Sequence, residues 1–172
     1  MVGAVWKDER KIVKRNGSAS EGKFVFIYSH GLSTRLAGCP QISYLRRMKD
    51  YKHHYIIPAP PEEVYRALVN PATIRLWSGE EAVMSEEPGS EFSLWEDSIS
   101  GRNLAFEASH KIVQEWYFGD QEPASIVTLL LHPHKKGTSL ELRHTNIPEE
   151  DYTDIVEGWN DVYMASLQDF YA

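Results

Sequence analysis

From Tyr152 onward the apolar side chains recur at three- and four-residue steps: Tyr152, Ile155, Val156, Trp159, Val162, Tyr163, Leu167 and Phe170. That spacing predicts one amphipathic helix over about Glu149 to Tyr171. Pro148 and the run Glu149-Glu150-Asp151 mark its start, because proline suits the first turn and carboxylates favour the positive end of the helix dipole. Roughly 20 residues at 1.5 Å each give a rod about 30 Å long, enough to cross a whole domain. Each large apolar side chain it buries contributes on the order of 1.5–3 kcal/mol. The stripe therefore dominates any core the chain can form, and the preceding residues must supply a surface that receives it.

The segments before it read as that surface. Lys52 to Ile57 is an expected strand ended by Pro58. Pro60-Pro61-Glu62-Glu63 opens a helix with Val64, Ala67 and Leu68 on one face. Asn70-Pro71 stops that helix, and a short second one carries Ile74 to Trp77. A meander follows. Ala82–Ser85 is short, Glu91–Trp95 comes after a Glu-Pro-Gly turn, and a tight turn near Asp97 leads to Ser98–Glu107, with Gly101 as a candidate bulge or bend. Lys111–Phe118 and Ser125–His132 read as buried strands. Thr138–Asn146 returns from a hairpin at Pro133–Gly137, with Leu140, Leu142 and His144 on one side. The expected class is α+β, an antiparallel curved sheet wrapped around a long C-terminal helix.

Residues 1–47 lack such patterning. They hold nine Lys/Arg and three Asp/Glu, whereas residues 48–172 hold nine Lys/Arg and 22 Asp/Glu. The change of character at Met48 suggests a natural start there, with residues 1–47 a basic, poorly folded upstream extension. An acidic domain repels phosphate backbones, so nucleic-acid binding by residues 48–172 is not expected. Cys39 is the sole cysteine, which rules out an intrachain disulfide and points to a reducing, cytoplasmic setting. Neither Phe24–Tyr28 nor Ile126–Leu131 is long enough for a membrane span of about 20 residues, and neither reads as a signal segment.

Short stretches in this order carry a resemblance. They are Tyr55-Ile56-Ile57-Pro58-Ala59-Pro60-Pro61-Glu62-Glu63-Val64-Tyr65-Arg66-Ala67-Leu68, then Asn70-Pro71 with Trp77, and Gly89-Ser90-Glu91-Phe92 with Ser100-Gly101. Lys111-Ile112-Val113 with Trp116, Ser125-Ile126-Val127-Thr128, Gly137-Thr138 with Leu140, Leu142 and His144, and Glu157-Gly158-Trp159 complete the set. From Met48 to Ala172 the chain resembles the START-like, helix-grip domains of the family named after activators of the heat-shock-protein-90 ATPase. The resemblance implies a sheet gripping the long helix, usually with a cavity between them. It also implies a chaperone ATPase as one candidate partner. The separate N-terminal domain of the co-chaperone that names the family has no counterpart in residues 1–47.

The helix-grip arrangement would set Trp77, Trp95, Phe106, Trp116, Trp159 and Tyr163 around such a cavity, as a ring-lined site for a small apolar ligand. The same rings could equally close the space and bind nothing. Strict strand alternation would point Trp95 and Phe92 to opposite faces. His144 shares the face of Leu140 and Leu142, and could donate to a ligand or be a core histidine satisfied by the protein. His132 and His134 with Glu141 form a weak metal pattern without the closed ligand set of a structural site. No phosphate-cradling glycine loop, nucleophile elbow, zinc-protease motif or cysteine pair is present, so no catalytic residue, cofactor or metal is assigned. Three functional classes follow. The chain could be a non-enzymatic holder of a small apolar ligand, a chaperone-linked interaction module, or a cavity enzyme acting through a lone group such as Arg102, Glu107, Glu115 or His144.

Overall fold

The structure is a computed structural model that describes residues 47–118 and 122–172. The suggested extension up to Arg46, with Cys39 and Phe24–Tyr28, lies outside the described residues. Seven strands form one antiparallel sheet: β1 (Met48–Ile57), β2 (Ala82–Val83), β3 (Glu91–Leu94), β4 (Ile99–Glu107), β5 (Lys111–Trp116), β6 (Ser125–His134) and β7 (Gly137–Pro148). Their spatial order is β1-β7-β6-β5-β4-β3-β2, so the first strand closes beside the last and β2 forms the far edge. Helices α1 (Pro61–Val69) and α2 (Pro71–Ser78) and the C-terminal helical segment cover the inner face.

Local chemistry accounts for the elements. Pro61 starts α1, with Glu62 and Glu63 in its first turn, and the buried side is Val64, Tyr65, Ala67, Leu68 and Val69. Asn70 ends α1 and caps α2, its Oδ1 accepting from the Thr73 N–H at 3.1 Å; such a cap contributes about 1 kcal/mol. In β5 to β7 alternate residues face the core, including Ile112, Gln114 and Trp116, then Val127, Leu129 and Leu131, then Leu140, Leu142 and His144. The expected order of strands and helices is present in full, although β1 begins four residues earlier than the pattern indicated.

Two sheet details depart from expectation. Gly101 is paired in register with Phe92 and Trp116, and the irregularity falls between Asn103 and Ala105 instead. Gly101 is needed for close approach: a Cβ there would lie 2.0 Å from the Glu115 carbonyl oxygen and 2.8 Å from the Phe92 ring. Trp95 does not oppose Phe92, because it has left the strand. Trp95, Glu96 and Asp97 all have φ between 54° and 65°, a left-handed turn that suspends the two-residue alternation and sends the Trp95 ring inward. Left-handed backbone costs an L-residue roughly 1–2 kcal/mol. The turn is held by the Ser98 N–H to the Trp95 carbonyl at 3.1 Å and by the Ser93 hydroxyl on the Asp97 carboxylate.

The C-terminal helix is also not one regular rod. It begins as α3 (Tyr152–Glu157), passes through a π-helical turn (Gly158–Tyr163) and resumes as α4 (Met164–Phe170). The Met164 N–H reaches five residues back to the Trp159 carbonyl. The wider turn buries Val162, Tyr163 and Met164 in succession. It also shifts the phase of the following residues. Met164, absent from the periodic stripe, is fully buried, whereas Phe170, assigned to the stripe, is 40% exposed. Residues Glu149–Asp151 form a turn ahead of the helix, with the Asp151 N–H on the Pro148 carbonyl.

Candidate functional site: a ring-lined cleft beside the helical turn

Where the π-helical turn passes the β3–β4 hairpin and the end of β5, Trp95, Ile99, Trp116, Asp154, Ile155, Gly158, Trp159 and Tyr163 line a cleft open on one side. Its volume is about 30 Å³, room for a water or two. The aromatic rings take up most of the remaining space. Trp116 and Trp159 stack at 4.8 Å with planes 28° apart, and Tyr163 packs on Trp159 at 4.8 Å and on Trp95 at 5.5 Å.

Of the ring residues singled out from the sequence, Trp95, Trp116, Trp159 and Tyr163 meet in this cleft. Trp77 lies behind it, edge-on to Trp95 at 6.3 Å and 5.1 Å from Tyr163, with its indole N–H donated to the Ala67 carbonyl at 2.9 Å. Phe106 does not join them. It sits beyond the β4 irregularity, opposite Ile112, and is only partly buried against the core. The shift between Asn103 and Ala105 brings Phe106 onto the same side of the sheet as Ile112, but far along β4 from Ile99 and Trp116, so the ring expected at the cleft packs on the core away from it. Ile99, Ile155, Asp154 and Gly158 were not singled out as lining. Gly158 was visible only as part of a motif, and Asp154 lies on the polar side of the helical pattern.

His144 stands behind the cleft, fully buried, and both ring nitrogens are engaged. The Trp159 indole N–H donates to Nδ1 at 3.0 Å, and Nε2 lies 2.8 Å from the Ser125 hydroxyl. Indole N–H can only donate, so Nδ1 is the acceptor and the proton resides on Nε2. Nε2–H then donates to Ser125 Oγ, which in turn donates to the Thr145 carbonyl at 3.3 Å. The histidine is thus satisfied by the protein, and its hydrogen bonds hold the Trp159 ring at the cleft wall.

Burial pushes the His144 imidazole down from its ordinary value to about 3, and pushes the Tyr163 hydroxyl up. Unfolding exposes a histidine that binds a proton below pH about 6.5. The stability due to neutral His144 is therefore complete above that pH and is lost progressively as the pH falls from 6.5 toward 3, by up to about 1.4 kcal/mol per unit. Urea unfolding at pH 7.5 and pH 5 should differ by about 2 kcal/mol, and the difference should shrink in His144→Asn, which does not titrate. Equal stability of the parent at the two pH values would contradict this assignment.

A second polar network runs from the core toward the surface. Gln114 accepts from the Trp116 indole at 3.3 Å and donates to Asn103 at 2.9 Å, and Asn103 donates to the Ser85 carbonyl and to Ser90 Oγ. The weak metal pattern is not assembled. His134 Nδ1 accepts the Lys136 N–H, and Glu141 is taken up by Lys52 Nζ at 2.8 Å and Arg143 Nε at 2.6 Å. Among the described residues no group of three His, Cys, Asp or Glu side chains is placed to hold a metal ion, and no helix is long and apolar enough to cross a membrane.

An antiparallel sheet curved around a C-terminal helix, with a ring-lined cleft between them, defines a START-like, helix-grip protein. Solved structures agree in fold: protein MLL2253 of Mesorhizobium loti superposes with a TM-score of 0.62 at 23% identity, over 71% of this chain and 96% of that one. The HSP90 activator PFC0360w of Plasmodium falciparum gives 0.59 at 27% identity, over 71% and 94%. CalU16 of Micromonospora echinospora gives 0.59 at 27%, over 73% and 76%. Residues 58–172 match the model of the family described as Activator of Hsp90 ATPase homolog 1-like protein, and the chain belongs to that family.

Curated relatives include an uncharacterized protein of Schizosaccharomyces pombe, 24% identical over 76% of this chain. Another is an activator of 90 kDa heat shock protein ATPase homolog of Dictyostelium discoideum, 30% identical over 58% of it. The chain spans 37% and 27% of the lengths of these two relatives.

Proposed function

We propose that this chain binds a small, flat apolar molecule in the cleft between the β3–β4 hairpin, β5 and the π-helical turn. One observation carries the reading: three tryptophans and a tyrosine converge on a cleft beside the one stretch where the helix leaves regular α geometry. Such turns occur often at functional sites. A cleft of about 30 Å³ is far below the 300 Å³ or so of a typical ligand site. Binding therefore requires the π-helical turn and the Trp95 hairpin to separate, and aromatic faces on both walls would then stack on the entering molecule.

Two measurements on the purified full chain test this. Native mass spectrometry should find a reproducible added small-molecule mass. Titration with the extracted compound, or with a panel of fatty acids and planar aromatics, should change tryptophan emission saturably. A protein of bare mass whose emission responds to none of them would reject the reading.

A second reading rests on a different observation. Two of the relatives, at 27% and 30% identity, are described as an HSP90 activator and as an activator of a 90 kDa heat shock protein ATPase homolog. On this reading the chain engages a chaperone ATPase through its outer surface. An unchanged ATP-hydrolysis rate of a heat-shock-protein-90-type chaperone on adding the chain, with no co-elution, would dismiss it.

A further inference from the structure

The domain's charge is not evenly spread. Residues 48–172 carry nine Lys/Arg and 22 Asp/Glu, but the outer face of β1, β7, β6 and the start of β5 inverts that balance. In register there stand Lys52 opposite Arg143, and Lys111 opposite Leu130, which in turn faces Glu141. Lys135 and Lys136 form the tip of the β6–β7 hairpin at the end of the same face. Five of the nine cations are thus gathered with three of the 22 carboxylates, Asp50, Glu107 and Glu141, leaving four cations against nineteen acids elsewhere.

These carboxylates are already engaged, Asp50 by the Asn146 N–H at 3.0 Å. Glu141 accepts from both Lys52 and Arg143, which hold its carboxyl well below the usual range, at about 2. His54 and His132 approach its other oxygen at 4.0 and 3.7 Å. Arg143 uses only its Nε in this contact, and a guanidinium has five N–H donors. Lys111 is tied to Glu107 at 2.9 Å. Ile56 is 36% exposed beside this cluster, and Leu130 lies half-buried between Lys111 and Glu141.

We propose that this outer sheet face, with the β6–β7 hairpin tip, is a docking surface for an acidic polypeptide segment of a partner protein. The choice of occupant follows from the surrounding charge. Four strands at about 4.8 Å span roughly 15 Å, wide enough for a short extended segment whose carboxylates meet Arg143, Lys52 and the hairpin lysines. A long phosphate backbone would run off this patch within about one Debye length, roughly 8 Å at physiological salt, onto the acidic remainder. A peptide also brings apolar side chains for Ile56 and Leu130. The inference does not depend on the ligand cleft, which lies on the opposite face of the sheet.

The test uses the full chain and a fluorescein-labelled decaglutamate peptide, read by anisotropy at low and physiological salt. Saturable, salt-sensitive binding is expected. Lys135→Glu with Lys136→Glu, on an exposed turn, should weaken it about tenfold or more. Lys52→Gln with Arg143→Gln should weaken it as well, provided thermal melting shows the fold intact. Lys14→Glu with Arg15→Glu, the same change of charge in the basic head, should leave it nearly unaltered. No binding at low salt, or equal losses for the head and hairpin pairs, would overturn the proposal. Tighter, hairpin-dependent binding of a single-stranded oligonucleotide or of phosphatidylserine vesicles would overturn it in favour of nucleic acid or a membrane surface.

Discussion

Trp159→Ala should destabilise the protein by about 3–5 kcal/mol, as large aromatic truncations in cores do. That is a large part of the 5–15 kcal/mol that holds a typical domain together. Trp159 is 2% exposed, stacks on Trp116, touches Tyr163 and donates to His144. Its removal opens the cleft from behind and leaves the buried His144 Nδ1 without its donor. Trp159→Phe separates the two contributions. It keeps most of the ring but lacks the N–H, and a buried acceptor left unmade costs about 1–3 kcal/mol. Urea denaturation of both variants checks the order. A phenylalanine variant as stable as the parent would mean that the indole–imidazole bond contributes nothing net.

Gly137→Ala should fail to fold, or should lose about 4 kcal/mol or more, at the exceptional end of single substitutions. Gly137 has φ +124°, a conformation that L-residues rarely adopt, and its added Cβ would lie 2.3 Å from the Ile57 carbonyl oxygen and 2.7 Å from the Ala59 nitrogen. These are backbone atoms at the junction of β1 and α1, and they cannot swing aside as a side chain could. The neighbouring Thr138 hydroxyl donates to the Ala59 carbonyl at 2.7 Å, so relief by moving that loop breaks a buried bond. Gly89→Ala is the matching control: φ is +89° but nothing lies within 4 Å of the added carbon. Its cost should be limited to the backbone, about 1–2 kcal/mol. Soluble yield and thermal melting of the two variants should differ sharply, and similar melting points would refute the steric account.

The fold order was legible because it rests on local signals. Pro60-Pro61-Glu62-Glu63 starts a helix, Asn70-Pro71 ends it and caps the next, and Leu140, Leu142 and His144 alternate in a strand that pairs on both sides. Most of the cleft was legible too, since Trp116, Trp159 and Tyr163 follow their elements' periods. What escaped were interruptions of period. The turn expected near Asp97 is present, but its left-handed backbone from Trp95 to Asp97 has no glycine to announce it. The shift near Leu104 changed which side of the sheet Phe106 occupies, and the π-helical turn put Met164 in the core and Phe170 at the surface. In each case contacts between distant segments, absent from any local window, overrode the backbone's regular repeat. The tie between His144 and Trp159 belongs to the same class, linking a strand to a helix fifteen residues away.

The π-helical turn also sets how this helix would answer a change in its length. An α-helix advances about 100° per residue, and the wide turn takes up one residue that a regular turn would not. Deleting one residue from Gly158–Tyr163 would therefore leave an ordinary helix whose ends keep their facing, Ile155 to the cleft and Leu167 to the core, and the change would be felt only in the cleft wall between them. One further residue inserted in the same stretch has no such slack to enter and would swing one half of the helix away from the surface it packs on.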